Sequence, residues 1–319
     1  MRNAARGDHP HAPGSLRSSG ELRERRLGWR RRRRRRRAAV TVISAAVCAA
    51  VAFGLALAPS GRSHGGGRAV SSAGRGGSSA RPSSRTLAGG VREMRAVDSV
   101  LAYTAYVRLA GHRARQVALT FDDGPSEYTP AILRILRRTH TTATFFVIGR
   151  QARTHPRLIV AEARGGFEIG DHTETHPFLA GMPAAAQAAQ ITAAADAIRH
   201  AGGPYPRLFR PPYGSFDPTT LAKLRQHRML MVLWSADTKD YARPGVGKIV
   251  YTALSGAQPG AIILMHDGGG DRRQTVAALP RIIRGMRRHG YRLVTVAQLI
   301  ASGRPPAGQP SPRPLSGGG

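Results

Sequence analysis

From Val117 onward, short apolar runs alternate with stretches in which apolar residues recur every three or four positions. The short runs predict strands over 117–122, 142–148, 167–171, 208–210, 229–234, 261–266 and 291–296. The periodic stretches predict helices over 129–138, 156–164, 183–200, 218–226, 247–255 and 275–289. After Pro183, for example, Ile191, Ala194, Ala195 and Ile198 fall at the spacing that one buried helix face requires. Seven strands alternating with helices imply an α/β domain built on a parallel sheet or barrel. Its length of about 185 residues buries an ample core but is short for an eight-fold barrel.

The chain upstream follows a different pattern. Residues 38–58 carry no charge and follow an unbroken run of eight arginines, Arg30 to Arg37. As a helix this stretch would be ~32 Å long, enough to cross a bilayer core of ~30 Å. Positive charge marks the cytoplasmic side, which puts the chain after Pro59 outside the cell. The expected organisation is a basic cytoplasmic tail (1–37), a single transmembrane signal-anchor (38–59), a disordered Gly/Ser/Arg-rich linker and lead-in (60–112), the folded domain (113–301) and a disordered tail (302–319). Within the lead-in, Val97, Val100, Leu101 and Tyr103 either pack a short helix onto the domain or continue the linker. A signal peptide cut after Ala56-Leu57-Ala58 is the alternative to the anchor, and in both cases the domain is exported.

Two compositional facts narrow the chemistry. The only cysteine, Cys48, lies inside the apolar segment, which excludes an intrachain disulfide and a cysteine zinc site. The net charge of +31 raises nucleic-acid binding, but its distribution argues against it. Residues 1–37 hold 14 Arg against 3 acidic residues, whereas residues 113–300 hold 25 basic against 13 acidic over a far longer stretch. No basic patch with interleaved aromatics for base stacking is visible, so no nucleic-acid partner is expected.

Polar residues cluster where the predicted strands finish. Asp122 and Asp123 end the first, within Thr120-Phe121-Asp122-Asp123-Gly124-Pro125-Ser126. His172-Thr173-Glu174-Thr175-His176-Pro177 follows the third and Arg210-Pro211-Pro212-Tyr213-Gly214 the fourth. The fifth runs through Trp234 into Asp237-Thr238-Lys239-Asp240-Tyr241, and the sixth closes on Leu264-Met265-His266-Asp267. Active sites of parallel α/β folds gather at these carboxyl ends. Singly, each cluster has a plain structural explanation: Asp-Asp-Gly-Pro makes an ordinary acidic turn, and a strand-end histidine is often a satisfied core residue. Together they suggest chemistry. His172 and His176 are four apart, so one helical turn would bring both imidazoles to the same side. With Asp123 they make a two-histidine, one-carboxylate set that leaves open positions on a divalent metal. Such a site lowers the pKa of bound water and polarises a carbonyl oxygen. Asp122 is placed to act as general base on that water, and His266 to donate a proton to a leaving group. Glu174 is expected to face solvent.

In this order the five clusters closely resemble the motifs of the polysaccharide deacetylase family, carbohydrate esterase family four, across roughly residues 115–300. The resemblance implies a distorted (β/α)7-type barrel. It implies Asp122 as general base and Asp123, His172 and His176 as ligands of a divalent metal, zinc or cobalt. Arg210 would pair with Asp122, and the Tyr213 N–H would help stabilise the oxyanion. His266 would be the general acid, its ring oriented by a carboxylate of the fourth cluster, Asp240 in preference to Asp237. Leu264 would line the acetyl pocket, with Tyr213, Tyr241 and Trp234 as further substrate contacts. One departure stands out: the family pattern carries Trp after the second Asp of the fourth motif, where this chain has Tyr241. Tyrosine keeps an aromatic wall but is smaller and adds a hydroxyl. The function implied is metal-dependent hydrolytic N-deacetylation of an amino-sugar polymer, with cell-wall glycan as partner and the membrane reached through the N-terminal helix. Peptidoglycan leads because the anchor places the domain beside the wall. Chitooligosaccharides and acetyl xylan are alternatives, and a non-catalytic cell-wall glycan-binding module is the reading from a different class.

Overall fold

The computed structural model describes residues 84–111 and 114–310. The expected cytoplasmic tail, the expected anchor at 38–59, residues 60–83 and residues 311–319 lie outside them. Among the described residues no helix is long and apolar enough to cross a membrane.

The strands form one parallel sheet: β1 Tyr106–Val107, β2 Gln116–Asp122, β3 Thr144–Val147, β4 Glu168–Asp171, β5 Leu208–Phe209, β6 Leu230–Val232, β7 Ala236–Asp237, β8 Ala261–His266 and β9 Arg292–Val294. The order along it is β1-β6-β5-β4-β3-β2-β8-β7, with β9 also paired to β2. Among the described residues nine strands therefore stand where seven were expected. The two additional ones, β1 and β7, are two residues long, too short to carry a period. β6 and β7 belong to one stretch of chain, yet β6 pairs with β5 and β7 pairs with β8. That stretch thus joins the two ends of the sheet and curls it into a half-barrel. It bends between them, where the Leu233 N–H donates to Val107 O and the Ser235 N–H to Ile262 O.

The helices are α1 Ser84–Leu101, α2 Thr129–Arg138, α3 Gly149–Thr154, α4 Pro156–Arg164, α5 Ala184–His200, α6 Pro218–Gln226, α7 Val246–Ser255, α8 Arg273–Arg288 and α9 Val296–Ser302, with α1 and α9 apart from those that cover the outer face. Alternation along β2 sorts the two faces, as a period of two requires. Val117, Leu119 and Phe121 join Phe145, Met265, Leu136 and Ile282 beneath the helices, while Ala118 joins Phe146 and Ile262 in a second, inner cluster. Val97 and Val100 of α1 enter that inner cluster with Val296, Leu299 and Ile300 of α9. Of the two readings for the lead-in, the helix is the one found, and it begins inside the expected linker. Both helices cover the amino end of the sheet, where the Val296 N–H donates to Thr144 Oγ1 and the Ala297 N–H to Glu168.

The expected disordered tail is also corrected in part, because residues 303–310 are held against the edge strand. Gln309 Oε1 accepts the N–H groups of Arg108 (2.7 Å) and Leu109 (2.9 Å), and its Nε2 donates to Leu109 O at 2.8 Å. An edge strand has backbone groups with no ladder partner, and one glutamine amide supplies both a donor and an acceptor.

Candidate active site

Strand register assembles the site. Pairing of β2 with β8 sets Asp122 beside His266, and the next residue along β2 turns out of the sheet. Asp123 has φ 72°, a left-handed conformation that aspartate tolerates better than most residues. Its Oδ1 is buried and takes no hydrogen bond; its neighbours are His176 Nε2 at 3.1 Å and His172 Nε2 at 3.5 Å. Burial opposes ionisation of Asp123, but the two imidazoles hold its carboxyl well below the usual carboxylate range.

The two histidines converge without the helical turn expected from their spacing. His172 to Pro177 is a loop in which Thr173 (φ 65°) and His176 (φ 62°) are left-handed. The Asp171 carboxylate starts it by accepting the Thr173 N–H at 2.8 Å. The rings meet edge to face with centroids 4.9 Å apart. Arg210 O lies 2.6 Å from His172 Nδ1, so Nδ1–H donates to it, and the ring is oriented with Nε2 facing Asp123. Left-handed residues other than glycine concentrate around this site. Asp123, Thr173, His176, Tyr213, Lys239 and Arg243 are six of the eight among the described residues, each held at a cost of about 1–3 kcal/mol by the surrounding contacts.

Arg210 occupies the inside of the half-barrel, fully buried. Its Nη1 donates to Asp122 Oδ1 (2.7 Å) and Thr120 Oγ1 (2.8 Å), its Nε to Val232 O (3.1 Å) and its Nη2 to Leu233 O (3.2 Å). The guanidinium also lies 4.1 Å over the Phe146 ring. A cation this deep requires a paired anion, and Asp122 is that anion. The ion pair in turn holds Asp122 in place beside His172 Nε2, 3.8 Å from its Oδ2.

On the other side, His266 Nδ1 donates to Asp240 Oδ1 at 2.7 Å, and the His266 N–H donates to Asp240 Oδ2 at 2.8 Å. Thr275 Oγ1 completes the carboxylate at 2.7 Å. Asp237 does not reach the ring; it accepts instead from the Lys239 N–H and from the Tyr241 hydroxyl at 3.3 Å. The hydroxyl added at the departure from the family pattern therefore finds an acceptor, and the Tyr241 ring still packs edge-on against His266 at 5.3 Å. Burial alone would lower the His266 pKa, but the hydrogen bond and charge of Asp240, with the charges of Asp122 and Asp123, raise it to about 9.

These groups open on one cavity of about 400 Å³. Asp122, Asp123, His172, His176, Tyr213, Trp234, Tyr241, Leu264 and His266 line it, while Arg210 and Asp240 stand behind the residues they hold. Tyr213 is the second residue of a single 3₁₀ turn, Pro212–Gly214, where an N–H precedes the first hydrogen bond of the turn. Glu174 is half-buried rather than solvent-facing; it pairs with Arg153 and is not part of the metal-ligating group.

Sequence reasoning missed the loop that follows His266. A Cβ on Gly268 would lie 2.1 Å from Asp123 O, and one on Gly269 (φ 74°) would lie 2.3 Å from Asp123 Oδ2. Only glycine allows the backbone to wrap Asp123 so closely. Gly268-Gly269-Gly270 was visible as a run, but nothing local says what approaches it. Asp267 is buried beneath, accepting from Thr129 Oγ1 at 2.5 Å. Burial, then the charges of Asp123 and Asp122, push its carboxyl up to about 7.

Asp123, His172 and His176 fit a divalent metal. Their donor atoms lie within 4.8 Å of one another, Asp123 Oδ1 lacks any other partner, and His172 turns its Nε2 toward that oxygen.

A half-barrel with two imidazoles and a carboxylate converging at its strand ends, flanked by a second carboxylate and an imidazolium, has the acid, the base and a set of possible metal ligands that a hydrolase requires. The chain belongs to the polysaccharide deacetylase family, whose model matches residues 110–232. It is 38% identical over 187 residues to a peptidoglycan-N-acetylglucosamine deacetylase of Bacillus cereus, covering 58% of this chain and 87% of that protein. It is 39% identical over 198 residues to a chitooligosaccharide deacetylase of a Bradyrhizobium species, covering 58% and 90%. Among solved structures, a peptidoglycan N-acetylglucosamine deacetylase bound to a naphthyl N-hydroxybenzamide superimposes with a TM-score of 0.60 at 34% identity, covering 62% of this chain and 93% of that one. The protein is thus a deacetylase acting on polysaccharide N-acetyl groups, from a family that uses a divalent metal.

Proposed function

We propose that the protein removes the acetyl group from N-acetylglucosamine in peptidoglycan, releasing acetate, with zinc or cobalt held by Asp123, His172 and His176. The observation that carries this reading is the opposed pair around the metal-ligating group. Asp122 is held in place by its ion pair with Arg210, and His266 is kept protonated by Asp240. The bound ion would polarise the acetamide carbonyl and acidify the attacking water. Asp122 takes a proton from the water as its oxygen bonds to the carbonyl carbon. The Tyr213 N–H supports the charge that develops on the carbonyl oxygen, a contribution of about 3–4 kcal/mol where such donors have been removed. His266 then protonates the sugar nitrogen as the carbon–nitrogen bond breaks, leaving a free amine and acetate. Leu264, almost fully buried, offers an apolar wall for the acetyl methyl. An anchor over residues 38–59 and the chain that follows it would keep the domain outside the membrane, within reach of the wall.

Chitooligosaccharides are the second reading, favoured by the similarity to a chitooligosaccharide deacetylase. Acetate release from peptidoglycan, chitooligosaccharides and acetyl xylan, with zinc or cobalt added, separates these substrates. Fastest release from peptidoglycan is the expected result. Glycan binding without acetate from any of the three would replace the enzyme with a binding module.

The acid assignment predicts a pH profile. His266 loses its proton as pH rises through about 9, so kcat/KM should fall there. In Asp240→Asn the largest of the interactions that oppose burial is gone, while the charges of Asp122 and Asp123 remain. The alkaline limb should then move down from about 9 toward the usual histidine range, and activity at pH 8 should drop about tenfold. An unchanged alkaline limb in this variant would remove His266 from the acid role. The same pair contributes stability that is complete below pH 6.5 and fades as pH rises through 9.

A further inference from the structure

Phe178 is a large ring left 47% exposed, two residues after His176. Core packing does not account for it. The next side chain, Leu179, is fully buried and fills the core with Ile191 and Phe209. Phe178 instead stacks on Tyr213, with ring centroids 4.0 Å apart and planes inclined by 12°. Tyr213 is itself 40% exposed, and its ring packs edge-on against His176 at 4.6 Å. The two rings stack face to face in a column that begins at a cavity-lining histidine and ends on Phe178, just beyond the cavity lining. Tyr241, 45% exposed against His266, gives the acid side an aromatic surface of its own.

We propose that Phe178, backed by Tyr213, is a stacking subsite for a sugar ring next to the one being deacetylated, on the His176 side of the cavity. The inference rests on the reading of an amino-sugar polymer as substrate. A pyranose ring has a face of C–H bonds that settles on the negative face of an aromatic ring, and covering exposed aromatic carbon removes it from water. Phenylalanine has no donor or acceptor, so this subsite reads the presence and orientation of a ring rather than its substituents. Its effect is therefore on chain length: a polymer reaches it and a single sugar does not. Standing outside the reacting centre, an apolar platform adds affinity without touching the chemistry.

The test compares binding of an N-acetylglucosamine pentamer, by calorimetry, with binding of the monosaccharide, by NMR titration, using the full-length chain. Phe178→Ala should weaken pentamer binding about five- to tenfold and leave the monosaccharide within twofold. Phe178→Leu, which keeps apolar contact with Tyr213 but lacks a flat face, should behave like alanine, and Phe178→Trp should retain pentamer affinity. Equal weakening of both ligands by Phe178→Ala would make the ring a packing support for Tyr213 and overturn the subsite. No weakening of either would overturn it as well. Acetate release is scored separately: length-dependent binding with no acetate would sink the deacetylation reading and leave the subsite standing.

Discussion

Asp123→Asn is expected to lose its metal and its activity together. The substitution keeps the shape of the side chain, and asparagine tolerates the left-handed backbone of this position, φ 72°. What it removes is the charge between two imidazole Nε2 atoms at 3.1 and 3.5 Å. Loss of an outer hydrogen-bonding partner alone typically weakens metal sites 10- to 100-fold, so loss of a charged ligand should exceed about a hundredfold. Metal content after dialysis, measured beside acetate release, checks both halves. His176→Ala should give the same result. The variant Asp123→Ala is a poorer probe, because alanine in the left-handed region adds about 1–2 kcal/mol of backbone strain. One equivalent of tightly held zinc in Asp123→Asn would end the ligand assignment.

Asp122→Asn should show the opposite split, with metal retained and turnover down by about a thousandfold. The complication is Arg210, a fully buried cation whose only ion-pair partner among the described residues is Asp122. Removing one member of such a pair typically costs about 3–5 kcal/mol, so lost activity could reflect lost structure. The double variant Asp122→Asn with Arg210→Met separates the two effects. Replacing both members by neutral groups should recover much of the thermal stability, since contacting residues are not additive. Activity should not return. Restored turnover in the double variant would show that Asp122 serves the barrel interior and not the water.

The contrast between legible and hidden features follows from how each is encoded. Strand β8 and helices α2, α4 and α6 coincide with the predicted bounds, because alternation and three-to-four spacing are local records of which face is buried. Helix α3 follows strand β3 directly and was missed, being six residues long. The five polar clusters were legible because they recur at strand ends, where a parallel fold leaves side chains free of the core. The convergence of His172 and His176 was legible, but its cause was not. Their spacing suggested a helix, and a loop with two left-handed residues achieves the contact instead.

By itself the sequence determined the α/β class, the strand-end positions of the chemistry, and the pairing of two carboxylates with three histidines. These are properties of neighbouring residues and of their period. Tertiary structure alone decided which partners those residues meet. The register of β2 against β8 puts Asp122 beside His266. The fold sends Arg210 into the barrel interior, chooses Asp240 over Asp237 for His266, and wraps Gly268 and Gly269 around Asp123. Each joins positions at least 26 residues apart. A one-residue slip in register would turn every inward side chain outward, and no local pattern records the partner strand.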